Sequence, residues 1–263
     1  MVRGAKPLSW KDLSRITTVL SDAGDRTDLL CGFFESSCDY APPSKLKKIA
    51  KKEFVRVVKE AVDFEEQLLV LPQDKKYQPD GNSTLEIGDR NTIREYCSIN
   101  RGTSQGGGLT RIGHDNWIMA YCHVAHDCLI GNNCVFANNS TLAGHVEVHD
   151  YAVLGGFSGV HQFCRLGENS FSAISTIIVK DVPPFFMVSG NTARARGVNK
   201  VGLRRRGFST VSIEVVKKCY KLLYMKGIGF DEAIKAIAKE GEVDPQAYKI
   251  DQFIKASERG IVR

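Results

Sequence analysis

A parallel β-helix followed by a smaller α-helical domain is the fold this 263-residue sequence predicts. Three observations carry that prediction. From Ile112 an aliphatic or aromatic residue recurs at every sixth position, through Ile118, Val124, Ile130, Phe136, Leu142, Val148, Leu154 and Val160 to Leu166. A small residue precedes such positions by two, at Cys97, Cys122, Cys128, Cys134, Ser140, Ala152, Ser158 and Cys164. Past Ser209 the period changes, and capping residues bracket segments of helical length. A period of six fits neither a 3.6-residue helix nor a hairpin series. It fits a coil in which each hexapeptide makes a short strand and a turn, and three hexapeptides close a triangle.

Residues 1–71 lack the repeat. In SKLKKIAKKEFVRVVKEAVDFEEQLLVL the apolar residues Leu46, Ile49, Phe54, Val57, Val58, Ala61 and Leu68 fall at helical spacing. Two readings stay open for this segment: a helix that caps the first coil, or a stretch translated in the wrong frame upstream of Pro72. Residues 72–190 form the coil. Ile87, Ile93 and Ile99 begin it in phase, and glycine follows the apolar residue at Gly88, Gly113, Gly131, Gly155 and Gly167. Residues two apart on a strand share a face, so the small residues point inward beside the large ones. Five of the eight cysteines are thereby core filler, and Cys31, Cys38 and Cys219 show no ligand spacing. NRGTSQGGGLTR interrupts the repeat between Ile99 and Ile112 and must loop out, over a neighbouring subunit or beside a cleft. It lacks the spacing of a P-loop. Residues 191–263 form the helical domain. Ser209 caps a helix to about Lys226 with Gly227 as its stop, and further helices are expected over Asp231 to Glu240 and from Asp244-Pro245 to about Ser257.

Composition narrows the function. No apolar run is long enough to span a membrane, and the first twenty residues lack a signal core, so a cytoplasmic protein is expected. A net charge of +6 is too mild to imply nucleic acid. The cluster Arg194, Arg196, Lys200 and Arg204 to Arg206 suits a phosphate-bearing ligand or an acidic protein.

The histidines are the chemical signal. His123, His126, His145 and His161 stand with Asp127 and Gln162 in one part of the coil. With eighteen residues per turn, Gly144 stacks on His126 and His145 stacks on Asp127, and adjacent coils lie about 4.8 Å apart. Three readings compete: polar turns without chemistry, a zinc site of the kind found in β-helical carbonic anhydrases, and general-base catalysis by a neutral His with a glycine N–H as oxyanion donor.

GDRNTIREYCSINRGTSQGGGLT, HVAHDCLIGNNCVFANNSTLAGHV, GGFSGVHQF, DVPPFFMVSGN and GLRRRGFS resemble the UDP-N-acetylglucosamine O-acyltransferases from about Pro72 to the C-terminus. The resemblance implies a homotrimer of left-handed β-helices with a C-terminal helical domain and active sites between subunits. It implies transfer of a (R)-3-hydroxyacyl group from acyl carrier protein to the 3-hydroxyl of UDP-N-acetylglucosamine, the first step of lipid A biosynthesis. His126 is then the base, Asp127 orients it, and the Gly144 amide holds the oxyanion. His123, His145 and His161 contact substrate, with Gln162 beside them. Asp74 reads the acyl 3-hydroxyl, Lys76 adds a cleft charge, and Asn199 and Arg205 hold the nucleotide or the carrier's phosphopantetheine. No cofactor, no metal and no covalent enzyme intermediate are implied, and the acidic carrier protein gives the basic cluster a partner.

Two departures bear on the substrates. Ile174 stands where relatives that take long chains have glycine, so an acyl chain of about ten to twelve carbons is expected from the lost volume. Val201 stands where relatives have an acidic residue near the uracil. Among rivals, the N-acyltransferase of the same pathway carries a separate N-terminal nucleotide-binding domain that residues 1–70 do not resemble. A trimer that binds nucleotide or carrier protein without catalysis is the other alternative, and the retention of His126, Asp127 and Gly144 together argues against it.

Overall fold

A computed structural model describes residues 71–77 and 83–263. The expected helix within residues 1–70 lies outside the described residues, as do Cys31 and Cys38. The described part belongs to one compact unit that begins at Leu68.

The repeat folds as expected into a left-handed parallel β-helix of three sheets. The first sheet holds β1 (Thr84–Ile87), β4 (Leu109–Ile112), β7 (Leu129–Ile130), β10 (Glu147–Val148) and β13 (Arg165–Leu166). The second holds β2 (Thr92–Ile93), β5 (Trp117–Ile118), β8 (Val135–Phe136), β11 (Val153–Leu154), β14 (Phe171–Ser172), β16 (Phe186–Ser189) and β17 (Arg194–Val198). The third holds β3 (Ser98–Ile99), β6 (His123–Val124), β9 (Thr141–Leu142), β12 (Gly159–Val160) and β15 (Ile177–Ile178). Pairing of Ile130 with Val148 and of Val148 with Leu166 sets the eighteen-residue register.

Each coil buries one large apolar residue and one small residue per face. All ten large residues from Ile112 to Leu166 are buried, as are Cys97, Cys122, Cys128, Cys134, Ser140, Ala152, Ser158 and Cys164. Burial pushes the thiols of Cys128 and Cys134 up to about 12, so they are inert filler rather than redox groups. Ile87 and Ile93, in the first described coil, are instead exposed.

The corners follow a second rule. From Asp115 to Ser175 every sixth residue has a positive φ, including Tyr121, Asp127, His145 and Phe163. A side chain in that region costs about 1–2 kcal/mol, and the ladder of coil-to-coil hydrogen bonds holds it there. The repeat glycines serve a different purpose. A Cβ on Gly113 would lie 2.6 Å from the Gly131 carbonyl oxygen, so glycine there lets the coils approach.

The regular coil ends at Pro183-Pro184. Beyond it β17 pairs antiparallel with β16 and covers the edge of the second sheet. The sheet therefore runs past residue 190, and the helices begin at Lys200. The helical domain comprises α1 (Lys200–Arg205), α2 (Thr210–Tyr224), α3 (Phe230–Gly241) and α4 (Pro245–Lys255). Ser209 caps α2 and Asp244 caps α4 as their sequences predict, whereas α1 is too short to show a period. Ile213, Val216, Cys219, Ile237, Ile250 and Ile254 build this domain's core around Phe185 and Phe186. Among the described residues no helix is long and apolar enough to cross a membrane.

The inward small-residue column sets a stability test. Cys164 is fully buried between coils. Cys164→Leu is expected to destabilise by about 1–3 kcal/mol through overpacking, and Cys164→Ala by about 1 kcal/mol. Urea unfolding measures both, and a neutral leucine variant would contradict the packing rule.

Candidate active site

The coil brings the predicted histidines to its third corner, where the chain passes from the third sheet back to the first. His126 and Asp127 lie between β6 and β7, Gly144 and His145 between β9 and β10, and Gln162 and Phe163 between β12 and β13. Ladder bonds lock the three turns in register: the His145 N–H donates to the His126 carbonyl at 3.1 Å, and the Phe163 N–H to the Gly144 carbonyl at 3.2 Å. The corner thus stacks Asp127, His145 and Phe163 in one column and His126, Gly144 and Gln162 in the next.

Asp127 is the centre of the cluster. His126 Nδ1 lies 2.7 Å from Asp127 Oδ2, and His145 Nε2 lies 3.8 Å from the same oxygen. A carboxylate only accepts, so Nδ1 of His126 carries the hydrogen, and in the neutral ring Nε2 keeps its lone pair. The His126 and His145 rings meet edge to face at 5.2 Å, and Phe163 stacks on His145 at 4.5 Å. Burial lowers the pKa of His145, and Asp127 opposes that shift. Burial also lowers the pKa of His123, whose Nδ1 lies 2.6 Å from Ser98 Oγ on the strand beneath.

Gly144 is required by contact rather than by φ. A Cβ there would stand 2.6 Å from His126 Cε1 and 2.8 Å from its Nε2. Any other residue would push the imidazole aside. Among the described residues the Gly144 N–H has no hydrogen-bond partner, which leaves it free to donate.

The interrupting loop closes over this corner of its own chain, so the cleft it flanks is the histidine site. Thr103 donates to Asp127 twice: from N–H to Oδ1 at 2.9 Å and from Oγ1 to Oδ2 at 2.7 Å. Thr110 Oγ1 accepts from the Asp127 N–H at 2.7 Å. A Cβ on Gly106 would fall 2.2 Å from Asp127 Oδ2 and 2.5 Å from His145 Cε1. Neither threonine is singled out by the sequence. The loop lengthens its coil, so that Ile99 pairs with Val124, 25 residues on, and residues within it fall outside the eighteen-residue register.

The other predicted residues divide into two groups. The charge of Asp74, like that of Asp127, opposes the lowering of the His145 pKa by burial, and Asp74 Oδ1 accepts from the Lys76 N–H at 2.9 Å. Lys76 is exposed, with its carbonyl held by Gln105 Nε2 at 3.3 Å. His161 and Gln162 are exposed on the next coil of the same corner. Ile174, 70% exposed, lies instead on the second corner. Asn199 is buried and occupied: its side chain caps α1 through the Gly202 N–H at 3.1 Å and donates to the Asn169 carbonyl at 3.0 Å. Arg205 and Val201 are exposed on α1. One protomer therefore does not bring Ile174, Asn199 or Arg205 to the histidine corner. Within the basic cluster Arg206 turns inward, over the Tyr151 ring at 4.9 Å and onto its carbonyl at 3.2 Å.

The zinc reading has a geometric basis, since ligand atoms of His126, Asp127 and His145 all lie within 4.8 Å of one another. Asp127 Oδ2, however, already accepts from Thr103 and His126, so this carboxylate oxygen is engaged in a hydrogen-bonded dyad.

The chain is similar to known proteins over most of its described length. Residues 109–144 match the bacterial transferase hexapeptide family, and residues 181–262 match domain 2 of Udp N-acetylglucosamine O-acyltransferase. Acyl-[acyl-carrier-protein]–UDP-N-acetylglucosamine O-acyltransferases of Thiobacillus denitrificans and a Janthinobacterium species are each 50% identical to the chain, over 73% of it and 74% of their own length. Among solved structures, the UDP-N-acetylglucosamine acyltransferase of Francisella novicida aligns with a TM-score of 0.72 at 40% identity, over 74% of this chain and 71% of that one. The O-acyltransferase of Moraxella catarrhalis aligns with a TM-score of 0.71 at 44% identity, over 74% and 76%.

The buried rings of His123 and His145 set a pH dependence. Each has a folded pKa below its ordinary value of 6.5, so their contribution to stability is present above 6.5 and is lost as pH falls towards the folded pKa values. The melting temperature is expected to drop on going from pH 7.5 to about pH 5, with a smaller drop in His123→Gln. Equal slopes in the two proteins would remove His123 from the linkage.

Proposed function

The chain belongs to the acyl-[acyl-carrier-protein]–UDP-N-acetylglucosamine O-acyltransferases, and from that membership we propose how its third corner carries out the transfer. The chain transfers a (R)-3-hydroxyacyl group from acyl carrier protein to the 3-hydroxyl of UDP-N-acetylglucosamine, the first step of lipid A biosynthesis. His126 Nε2 takes the proton of the sugar hydroxyl. The oxygen attacks the thioester carbonyl, and the tetrahedral oxyanion accepts from the Gly144 N–H. Collapse expels the phosphopantetheine thiolate, which recovers the proton from His126. No acyl-enzyme forms.

The observation that carries this reading is the alignment of base and oxyanion donor. The His126 ring lies against Gly144 with its Nδ1 hydrogen directed to Asp127. Nε2 is left as the proton acceptor beside an unused N–H. His145, with its charged form disfavoured by burial, accepts or donates a hydrogen bond without competing for the proton. Asp74 beside His145 supports the acyl 3-hydroxyl subsite, with His123, His161 and Gln162 completing the sugar side.

The remaining residues need a second copy. Ile174 and Arg205 are exposed away from the corner of their own protomer, as expected of groups that serve a neighbour's cleft in a homotrimer. Asn199 acts by fixing α1, and hence Arg205, rather than by touching the nucleotide itself. No metal takes part in this route, so chelation leaves the rate unchanged.

A mass-spectrometric transfer assay with UDP-N-acetylglucosamine and 3-hydroxyacyl carrier proteins tests the reading. His126→Ala is expected to lower kcat by about 10²–10⁴ with the fold intact. Product from wild type and from His126→Ala at similar rates would overturn it. Absence of product from a folded, trimeric wild type would leave a binding module. Loss of activity on chelation, with metal found in the purified protein, would favour the zinc reading. In the same assay wild type is expected to prefer chains of about ten to twelve carbons, and Ile174→Gly to accept longer ones, because deleted side-chain volume extends the pocket.

A further inference from the structure

We infer that the Thr103–Gly108 loop is a clamp on the catalytic carboxylate and that Thr103 is the positioning residue of the His126–Asp127 dyad. The inference rests on His126 being the base.

Thr103 meets Asp127 with both of its donors, one to each carboxylate oxygen. Two bonds to two oxygens fix the plane of the carboxylate, which one bond would leave free to rotate. Oδ2 then receives the Thr103 hydroxyl and the His126 Nδ1 hydrogen together, so the direction of one bond sets the direction of the other. Thr103 is 2% exposed and Asp127 6%, and at that burial no water substitutes for a missing donor.

The rest of the loop is built around the same residue. The Thr103 carbonyl accepts from the N–H groups of Gly106 and Gly108, at 3.0 and 2.8 Å. Gly107 and Gly108 have positive φ, and Gly106 touches both Asp127 and His145 where a Cβ would not fit. The glycine run, which has no phosphate-binding spacing, is explained by this fold-back: it lets backbone close on the dyad. Just past the loop, on β4, Thr110 is fully buried and holds the Asp127 N–H. The side chain of Asp127 is therefore gripped from the loop and its backbone from the strand that follows. A loop with a purely structural purpose would not need its hydroxyl on the oxygen that orients the base.

The test is a series at position 103 in the full-length protein, assayed for transfer alongside His126→Ala. Thr103→Val keeps the shape and the N–H and removes only the hydroxyl donor. It is expected to lower kcat about ten- to a hundredfold, the range for a lost hydrogen bond to a charged group, with KM for UDP-N-acetylglucosamine within about twofold of wild type. The acid limb of kcat/KM is expected to move to higher pH, because an Oδ2 that no longer shares its charge with a hydroxyl holds the imidazolium more tightly. The groups that face His126 are Asp127, His145 and His123, with Asp74 acting through His145, and none is altered in the series. Thr103→Ser is expected to restore kcat and the acid limb, and Thr103→Cys, with its weak donor, to fall between.

A valine variant with wild-type kcat and an unmoved acid limb would overturn the clamp. So would equal losses in the serine and valine variants, with raised KM and lowered melting temperature. If the valine variant does not fold, the order of serine above cysteine in kcat, with equal KM, decides the matter. A silent His126→Ala beside a fully active Thr103→Val would sink the clamp alone. An active His126→Ala would sink the base and the clamp together.

Discussion

Everything in this molecule depends on the vertical register of the coil. Hydrogen bonds between strands eighteen residues apart hold successive turns at strand spacing, and any chemistry at a corner must be assembled along that axis. Asp127 meets His145, and His126 meets Gly144, only because the ladder from the His145 N–H to the His126 carbonyl forbids slippage. A slip of one residue would turn each inward side chain outward and separate the dyad from the Gly144 N–H. Fold and site geometry therefore draw on the same hydrogen bonds.

Within that frame the Asp127 carboxylate is the point on which the site converges. It receives two donors from Thr103 and one from His126, and it lies within ion-pair distance of His145. Its own backbone occupies the left-handed region, like every corner residue from Asp115 to Ser175. The conformation is thus a property of the coil and not a strain reserved for function. What distinguishes this corner from the others is the loop laid over it, which shields the carboxylate while the His126 and His145 rings stay partly exposed.

The C-terminal domain contributes at a distance. Phe185 and Phe186 anchor it on the last coil, and the Asn199 cap sets where α1 begins. This gives Arg205 a defined position without bringing it to the histidine corner of the same protomer. Arg206, by contrast, folds onto Tyr151 and serves packing.

Several features were legible in the sequence because they are periodic. The six-residue apolar repeat determined the strands, the inward column that absorbs five cysteines, and the stacking of His145 on Asp127 and of Gly144 on His126. Caps at Ser209 and Asp244 determined two of the helices. The role of Thr103 was decided only by the tertiary structure, since the loop that carries it falls out of register and meets Asp127 through space, while Thr110 on β4 reaches the Asp127 N–H from the inward position two before Ile112. The same holds for Asn199, whose neighbour Asn169 lies thirty residues away, and for Arg206, which the composition groups with its exposed neighbours. Periodic packing is written locally, one hexapeptide at a time. The aim of a carboxylate is settled by donors that the chain brings back from elsewhere.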